Sequence, residues 1–481
     1  MRVPTVGRGT GVAAFGVLLL VAGLASAAGP AGASATIGEQ VRTYTGEIDG
    51  AAYRVQVPTR WNGILVLYSH GDYGAAYIPP PDQINLANRP ATAQWLIQHG
   101  YALAASNYRT PSFYAVKEAL SDQVALLDWF GAHIGTPRRT ISAGGSMGGL
   151  IAILLAERNP QRFDGVVAMC GADAGGLGQW NTALDLTFAL KTLLAPGSAL
   201  ELVHITRPGA DLATISGLVQ AALTTPQGRA RLALANALAD VPGWFHALEP
   251  RPTDVESQIR QQAQADVIGL FPIIGAYGRA DLERRAGGDP SWNTGVDYRR
   301  QLAHSSQRTL VQQAYRLAGM DPEADLQRLA DTPRISADAP AVAWLSRYGT
   351  PRGDAARPVV TLQGVSDFAG ITQSARWYAQ QVRRHAAAAN LRQLFVDRAG
   401  HCMFTAAEEV VALQTLRTRL DTGRWGATRP ATLNATAAGF DPAYQQVYDW
   451  ITGTNGTATP AFTRYTPGLY LRPSPSTTAD G

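Results

Sequence analysis

The stretch Thr140-Ile141-Ser142-Ala143-Gly144-Gly145-Ser146-Met147-Gly148-Gly149 constrains this chain more than any other. A β-prone run leads in from Arg139, and a helix-forming run, 150–158, leads out. The text therefore predicts a strand, a sharp turn and a helix, with Ser146 at the turn inside a G-x-S-x-G pattern. Such a turn holds the serine in a cramped backbone conformation that only small neighbours tolerate, and glycines stand on both sides. The hydroxyl is thereby raised above the sheet, at the positive end of the following helix. In a chain with 49 glycines the pattern alone is weak, and a glycine-rich turn is the bland reading. Its weight depends on partners elsewhere.

The surrounding text alternates. Residues 41–57 alternate apolar and polar about Asp49-Gly50, a hairpin signal. The run 63–69 is continuously apolar, as for a strand buried on both faces, and ends in His70-Gly71-Asp72. A helix at 91–99, a strand at 101–106, a helix at 113–134, the turn unit and a strand at 164–171 follow. From about 175 to 348 the pattern becomes helical, with apolar residues at helical spacing in 184–194, 212–223, 229–239, 255–265 and 307–318. Alternation returns with a strand at 356–364, a helix at 372–388, a strand at 391–396 and a helix at 405–420. The expected fold is α/β: a doubly wound, mostly parallel sheet with a large helical cap insertion. The expected divisions are a signal peptide (1–35), a first core part (36–175), the cap (176–348), a second core part (349–465) and a loosely ordered tail (466–481) rich in Pro, Ser and Thr.

A serine hydroxyl is a poor nucleophile until a base takes its proton, and the base needs a carboxylate to fix its tautomer. Asp367 stands just past the strand at 356–364, and His401 just past the next strand. One helix and one strand separate them, as in a β-α-β unit, so Ser146, Asp367 and His401 form the expected triad in chain order Ser, acid, His. Asp173, after the strand at 164–171, is the second choice for the acid. Asp397 reads as a strand-end surface residue, and His70 as a structural one. The remaining histidines (His99, His133, His204, His246, His304 and His385) lack the spacing of a metal site, and the elbow glycines lack phosphate-loop or dinucleotide spacing. No metal and no cofactor is expected.

Taken together, His70-Gly71, Gly144-Gly145-Ser146-Met147-Gly148, the Gly-x-x-Asp at 364–367 and Ala399-Gly400-His401 resemble the α/β-hydrolase superfamily. The resemblance covers about 40–175 and 350–425, with the helical insertion where that superfamily carries a cap. It implies an oxyanion hole from the backbone N–H of Met147, following the nucleophile, and that of Asp72, in the loop after the His70-Gly71 strand.

Met1-Arg2, Arg8 and the apolar run 12–27, followed by Ala25-Ser26-Ala27 and Ala33-Ser34-Ala35, read as a secretory signal peptide, with an uncleaved anchor as the alternative. Secretion makes the two cysteines, Cys170 and Cys402, candidates for a bridge near His401, the alternative being two buried thiols. Tannase-type and fungal feruloyl esterases are similar in placing a disulfide beside the triad, with one cysteine after the histidine. Their other cysteine precedes the serine, where this chain has Gly145.

An apolar fraction of 46% and a charged fraction of 16% fit a folded globular chain. Net charge is +4 without a basic run, so no nucleic-acid partner is expected, and no later segment is apolar enough to span a bilayer. Lysine occurs only at Lys117 and Lys191, which points to a GC-rich, actinobacterial type of coding genome. The leading expectation is a secreted serine esterase acting on a small or polymeric ester through an acyl-enzyme. An aminopeptidase-like exopeptidase or amidase is the alternative within the fold, and a non-catalytic binding protein the alternative outside enzymes. Cap aromatics such as Trp180, Phe188, Trp244, Phe271, Trp292 and Trp344 are candidates for an acyl or aryl pocket, although most fit a helical core as well.

Overall fold

A computed structural model describes residues 40–74, 78–271, 274–449 and 452–473. The expected signal peptide, 1–35, lies outside the described residues. The first hairpin joins β1 (Val41–Ile48) to β2 (Ala51–Pro58), with Ile48 paired to Ala51. Asp49 and Gly50 both take positive φ, 51° and 85°, as a two-residue turn of this twist requires.

The strands β3 (Ile64–Ser69), β4 (Ala102–Ser106), β5 (Arg139–Gly145), β6 (Gly165–Met169), β7 (Val359–Ser366) and β8 (Leu391–Ala399) are mutually parallel where they pair. A separate hairpin, β9 (Gln446–Asp449) with β10 (Thr454–Thr457), precedes β11 (Phe462–Thr463). Among the described residues the main sheet runs β1-β2-β4-β3-β5-β6-β7-β8-β11, antiparallel only toward its two edges. Because side chains alternate across a strand, β3 sends Leu65 and Leu67 into one apolar layer and Ile64, Val66 and Tyr68 into the other. The first layer is completed by α2 (Val116–His133) and α3 (Met147–Arg158), the second by α1 (Pro90–Gln98) and the helix Ala406–Thr422. Strand order reverses at β3, which opens a crevice beyond the carboxyl ends of β3 and β5.

Between β6 and β7 the chain leaves the sheet. Helix α4 (Gly175–Leu194) begins well before the expected 184, because Gly175, Gly176 and Gly178 are poor helix formers that packing selects. A Cβ on Gly176 would stand 2.2 Å from the Tyr114 hydroxyl. The helices Pro208–Ala222, Pro226–Leu238, Val255–Gln264, Ala276–Ala286, Tyr298–His304, Arg308–Leu317, Pro322–Asp331 and Ala339–Gly349 follow. Their apolar cluster contains Phe188, Leu234, Phe271 and Tyr298, and it also takes in Phe368 from the end of β7.

Within the tail expected to be loosely ordered (466–481), residues 466–473 are described and two of them are anchored. Arg472 is buried and pairs with Asp185 of α4 at 2.6 Å, while the Tyr470 and Thr182 hydroxyls lie 3.2 Å apart. A Pro/Ser/Thr count does not register two anchoring side chains. Residues 474–481 lie outside the described residues.

Candidate active site

Strand β5 ends at Gly145, and α3 starts at Met147, so Ser146 alone makes the turn between them. Its φ of 58° and ψ of −128° lie where a residue with a Cβ is strained, at a cost of about 1–3 kcal/mol. Close packing holds the turn: a Cβ on Gly148 would stand 2.0 Å from the Ser69 carbonyl oxygen, and one on Gly144 2.1 Å from that of Gly148. The Ser146 amide donates to Met169 O at 3.0 Å and lies 3.3 Å from Cys170 Sγ. Residues 150–155 of α3 are buried, so the helix is fixed as firmly as the strand.

Asp367 directly follows β7 and is buried. Its Oδ1 accepts the amides of Ala369 (2.9 Å) and Gly370 (2.8 Å). His401 lies beyond β8, with Nδ1 2.9 Å and 3.0 Å from the two Asp367 oxygens and Nε2 2.7 Å from Ser146 Oγ. These distances suit proton transfer from the hydroxyl to the imidazole, with the carboxylate fixing the ring. The structure thus brings Ser146, His401 and Asp367 into one hydrogen-bonded line.

Asp173 is not in that line. It is buried, Gln363 donates to its Oδ2 at 3.1 Å, and burial pushes its carboxyl up to about 7. Asp397 is exposed and pairs with Arg251. His70 is sandwiched between Tyr73 and Tyr108, with ring centroids 3.9 Å and 4.1 Å away, and its Nδ1 lies 2.6 Å from Gly71 O. Burial lowers it to about 4, which leaves it neutral and structural.

The loop after β3 lies against the serine: a Cβ on Gly71 would meet Ser146 Cβ at 3.0 Å and Oγ at 3.5 Å. Asp72 follows in the same loop, and its Oδ1 accepts the Gly74 amide at 2.6 Å. Burial pushes its carboxyl up to about 6. Met147 is the first residue of α3, where an amide has no intrahelical acceptor. Both expected oxyanion donors therefore belong to backbone bordering the serine.

Cys170 and Cys402 are joined by a disulfide, Cα to Cα 5.2 Å. With His401 they group as possible metal ligands, but the bridge consumes both thiolates, and His401 Nε2 faces Ser146. The His401 loop is also held from outside by residues that sequence reasoning missed. Arg89 donates to Cys402 O (2.8 Å) and Phe404 O (3.0 Å), and Arg398, buried against Glu408, donates to Met403 O (3.0 Å). A cavity of about 260 Å³ opens beside Ser146 and His401, with Arg89, Phe113, Trp180 and Ile274 in its wall. A small apolar recess lined by Leu186, Phe271, Phe368 and Tyr470 shares Ala172, Gln179 and Ile274 with it. Among the described residues, no helix is long and apolar enough to cross a membrane.

A family model for the alpha/beta hydrolase fold matches residues 88–202. The o-phthalyl amidase of Xanthobacter agilis is 29% identical over 424 residues, which cover 81% of this chain and 89% of that protein. Among solved structures, an esterase from Aspergillus oryzae aligns with a TM-score of 0.37 at 12% identity, covering 80% of each chain. The enol-lactonase from Burkholderia xenovorans LB400 aligns with a TM-score of 0.35 at 13% identity, covering 79% of this chain and 98% of that one. Sheet order and family match agree: the chain has the α/β-hydrolase fold, with a run of helices inserted between β6 and β7.

Proposed function

We propose that the protein is a secreted serine hydrolase that cleaves carboxylic esters through an acyl-enzyme. The observation that carries this reading is the line from Ser146 Oγ through His401 to Asp367, at 2.7 Å and 2.9 Å. His401 Nε2 takes the hydroxyl proton as Ser146 attacks the substrate carbonyl, and Asp367 stabilises the imidazolium that forms. The amides of Met147 and Asp72 receive the developing oxyanion, each worth about 2.7–4 kcal/mol by analogy with other hydrolases. His401 then passes the proton to the leaving group and activates water for deacylation. Residues 36–175 and 349–465 serve as the catalytic core in this reading, and 176–348 as the cap that selects substrate. The disulfide and the N-terminal signal pattern support an oxidising, extracellular location.

Amide hydrolysis is the second reading, favoured by the relative named o-phthalyl amidase. The same groups serve both reactions, since His401 can protonate an amine as well as an alkoxide. A fluorophosphonate probe should label Ser146 and no other serine, and the label should be absent from Ser146→Ala. Labelling elsewhere would overturn the assignment. p-Nitrophenyl esters of graded chain length, run beside matched anilides, separate the esterase from the amidase reading.

A further inference from the structure

The catalytic cavity is mostly apolar, yet one guanidinium sits in its wall. Arg89 shares that wall with Phe113, Met147, Leu150, Trp180 and Ile274. Two of its nitrogens are committed: Nε donates to Phe404 O at 3.0 Å, and Nη2 to Cys402 O at 2.8 Å. Nη1 has no hydrogen-bond partner among the described residues, and the side chain keeps 14% of its surface exposed. Buried Glu409 pairs with Nε at 3.9 Å and balances the charge, while its oxygens accept from Asn88 and Thr92, so Nη1 stays available for a hydrogen bond. A guanidinium pinned at two points in the wall of a mostly apolar cavity, with donors left over, has the make-up of a preorganised anion receptor. It stands beside the reacting groups, since Cys402 directly follows His401, and the neighbouring Asn88 Oδ1 lies 3.1 Å from the position a Cβ on Gly145 would take.

We infer that Arg89 Nη1 receives a carboxylate of the substrate, so that the preferred substrates are esters or amides carrying a carboxylate on the acyl or the leaving-group part. This rests on the hydrolase reading above and adds the substrate class. Asp72, the other charged residue of the wall, has its carboxyl raised to about 6 by burial, so its opposition to an anion weakens only as pH falls through that value. A guanidinium–carboxylate contact in a partly dry cavity is worth roughly tenfold to a hundredfold in affinity.

Two substrate pairs test it. Mono-p-nitrophenyl glutarate against its methyl ester places the charge on the acyl part, and m-acetoxybenzoate against its methyl ester places it on the leaving group. The wild type should favour the acid by roughly tenfold to a hundredfold in kcat/KM in at least one pair. Arg89→Met should bring that ratio close to one. A residue that only braces the His401 loop would lower both members of a pair alike and leave the ratio unmoved. The inference is overturned by wild-type ratios at or below one in both pairs, or by a ratio that survives Arg89→Met. Should Arg89→Met not fold, Arg89→Lys replaces it, and a point charge in place of the fork should reduce the ratio without abolishing it. If neither pair nor p-nitrophenyl acetate is hydrolysed, the hydrolase reading fails separately. Glutarate binding, followed by tryptophan fluorescence, then decides on Arg89: saturable quenching in the wild type but not in the variant supports the receptor, and equal responses or none overturn it.

Discussion

The amide of Ser146 lies 3.3 Å from Sγ of Cys170, so the nucleophile and the disulfide share one corner of the sheet. Through Cys402 that sulfur reaches the residue next to His401. Ser146 and His401 are therefore tied both by a hydrogen bond and by a path through the disulfide.

Removing the nucleophile should abolish turnover without unfolding the protein. Ser146→Ala should lower kcat by on the order of 10⁵–10⁶, and His401→Ala by a similar factor. The double variant should be little worse than either, because the groups act as a unit. Steady-state kinetics with a p-nitrophenyl ester, beside circular dichroism, decide it. Appreciable activity in folded Ser146→Ala would end the serine-hydrolase reading.

For the acid, Asp367→Asn should cost about 10⁴ in kcat, since the amide no longer fixes the imidazole tautomer. Asp173→Asn should stay within a few-fold of wild type. The reverse outcome would move the acid to the turn after β6.

Asp173 also makes a pH prediction. Its folded-state value of about 7 lies above its ordinary 3.8, so the native state holds the proton more tightly than the unfolded chain. The stability this contributes is fully present below about 3.8 and is lost as pH rises through about 7. Asp173→Asn removes that titration. Between these limits its stability should fall less steeply with pH than that of the wild type, by up to ~1.4 kcal/mol per pH unit. Urea midpoints across the range measure the slopes, and equal slopes would refute the assignment.

Reduction of the Cys170–Cys402 bridge, or Cys402→Ser, should depress kcat before it unfolds the domain. The β3, β5 and α3 aliphatics keep their packing while His401 loses a tether. The loop closed is long, and its entropy sets an upper stabilisation of about 5.5 kcal/mol. Thiol titration of the denatured, unreduced protein should find no free thiol. Two per chain would refute the bridge.

In the tail, Arg472→Ala should destabilise the protein by about 3–5 kcal/mol, because Asp185 would keep a buried charge without its cation. A thermal-unfolding comparison with Arg472→Lys tests this, and an unchanged midpoint in Arg472→Ala would show that the pair is dispensable.

What could be read from the text was local or periodic. The unit β5–Ser146–α3 announces itself because a buried strand, a glycine-packed turn and a helix are contiguous. Asp367 and His401 could be expected near Ser146 because each stands within two residues of a strand end. Arg89 could not, because it meets Cys402 across 313 residues and no spacing rule spans that distance. The helix Ala276–Ala286 escaped for another reason: its buried side includes Arg279, Asp281 and Glu283, held by ion pairs and hydrogen bonds that a count of apolar residues does not register. Charged partners distant in sequence are what a periodicity reading misses.

Neighbouring strands β6 and β7 pair Met169 with Leu362, although all the inserted helices lie between them in the chain. Departure and return points thus sit side by side on the sheet, so the length of the inserted segment does not have to stretch the β6–β7 pairing. A different helical block spliced between Ala174 and Pro358 would meet the same two strand ends. It would lie over the same Ser146 and His401, so under the proposed function it would alter which substrates enter and leave the reacting groups in place.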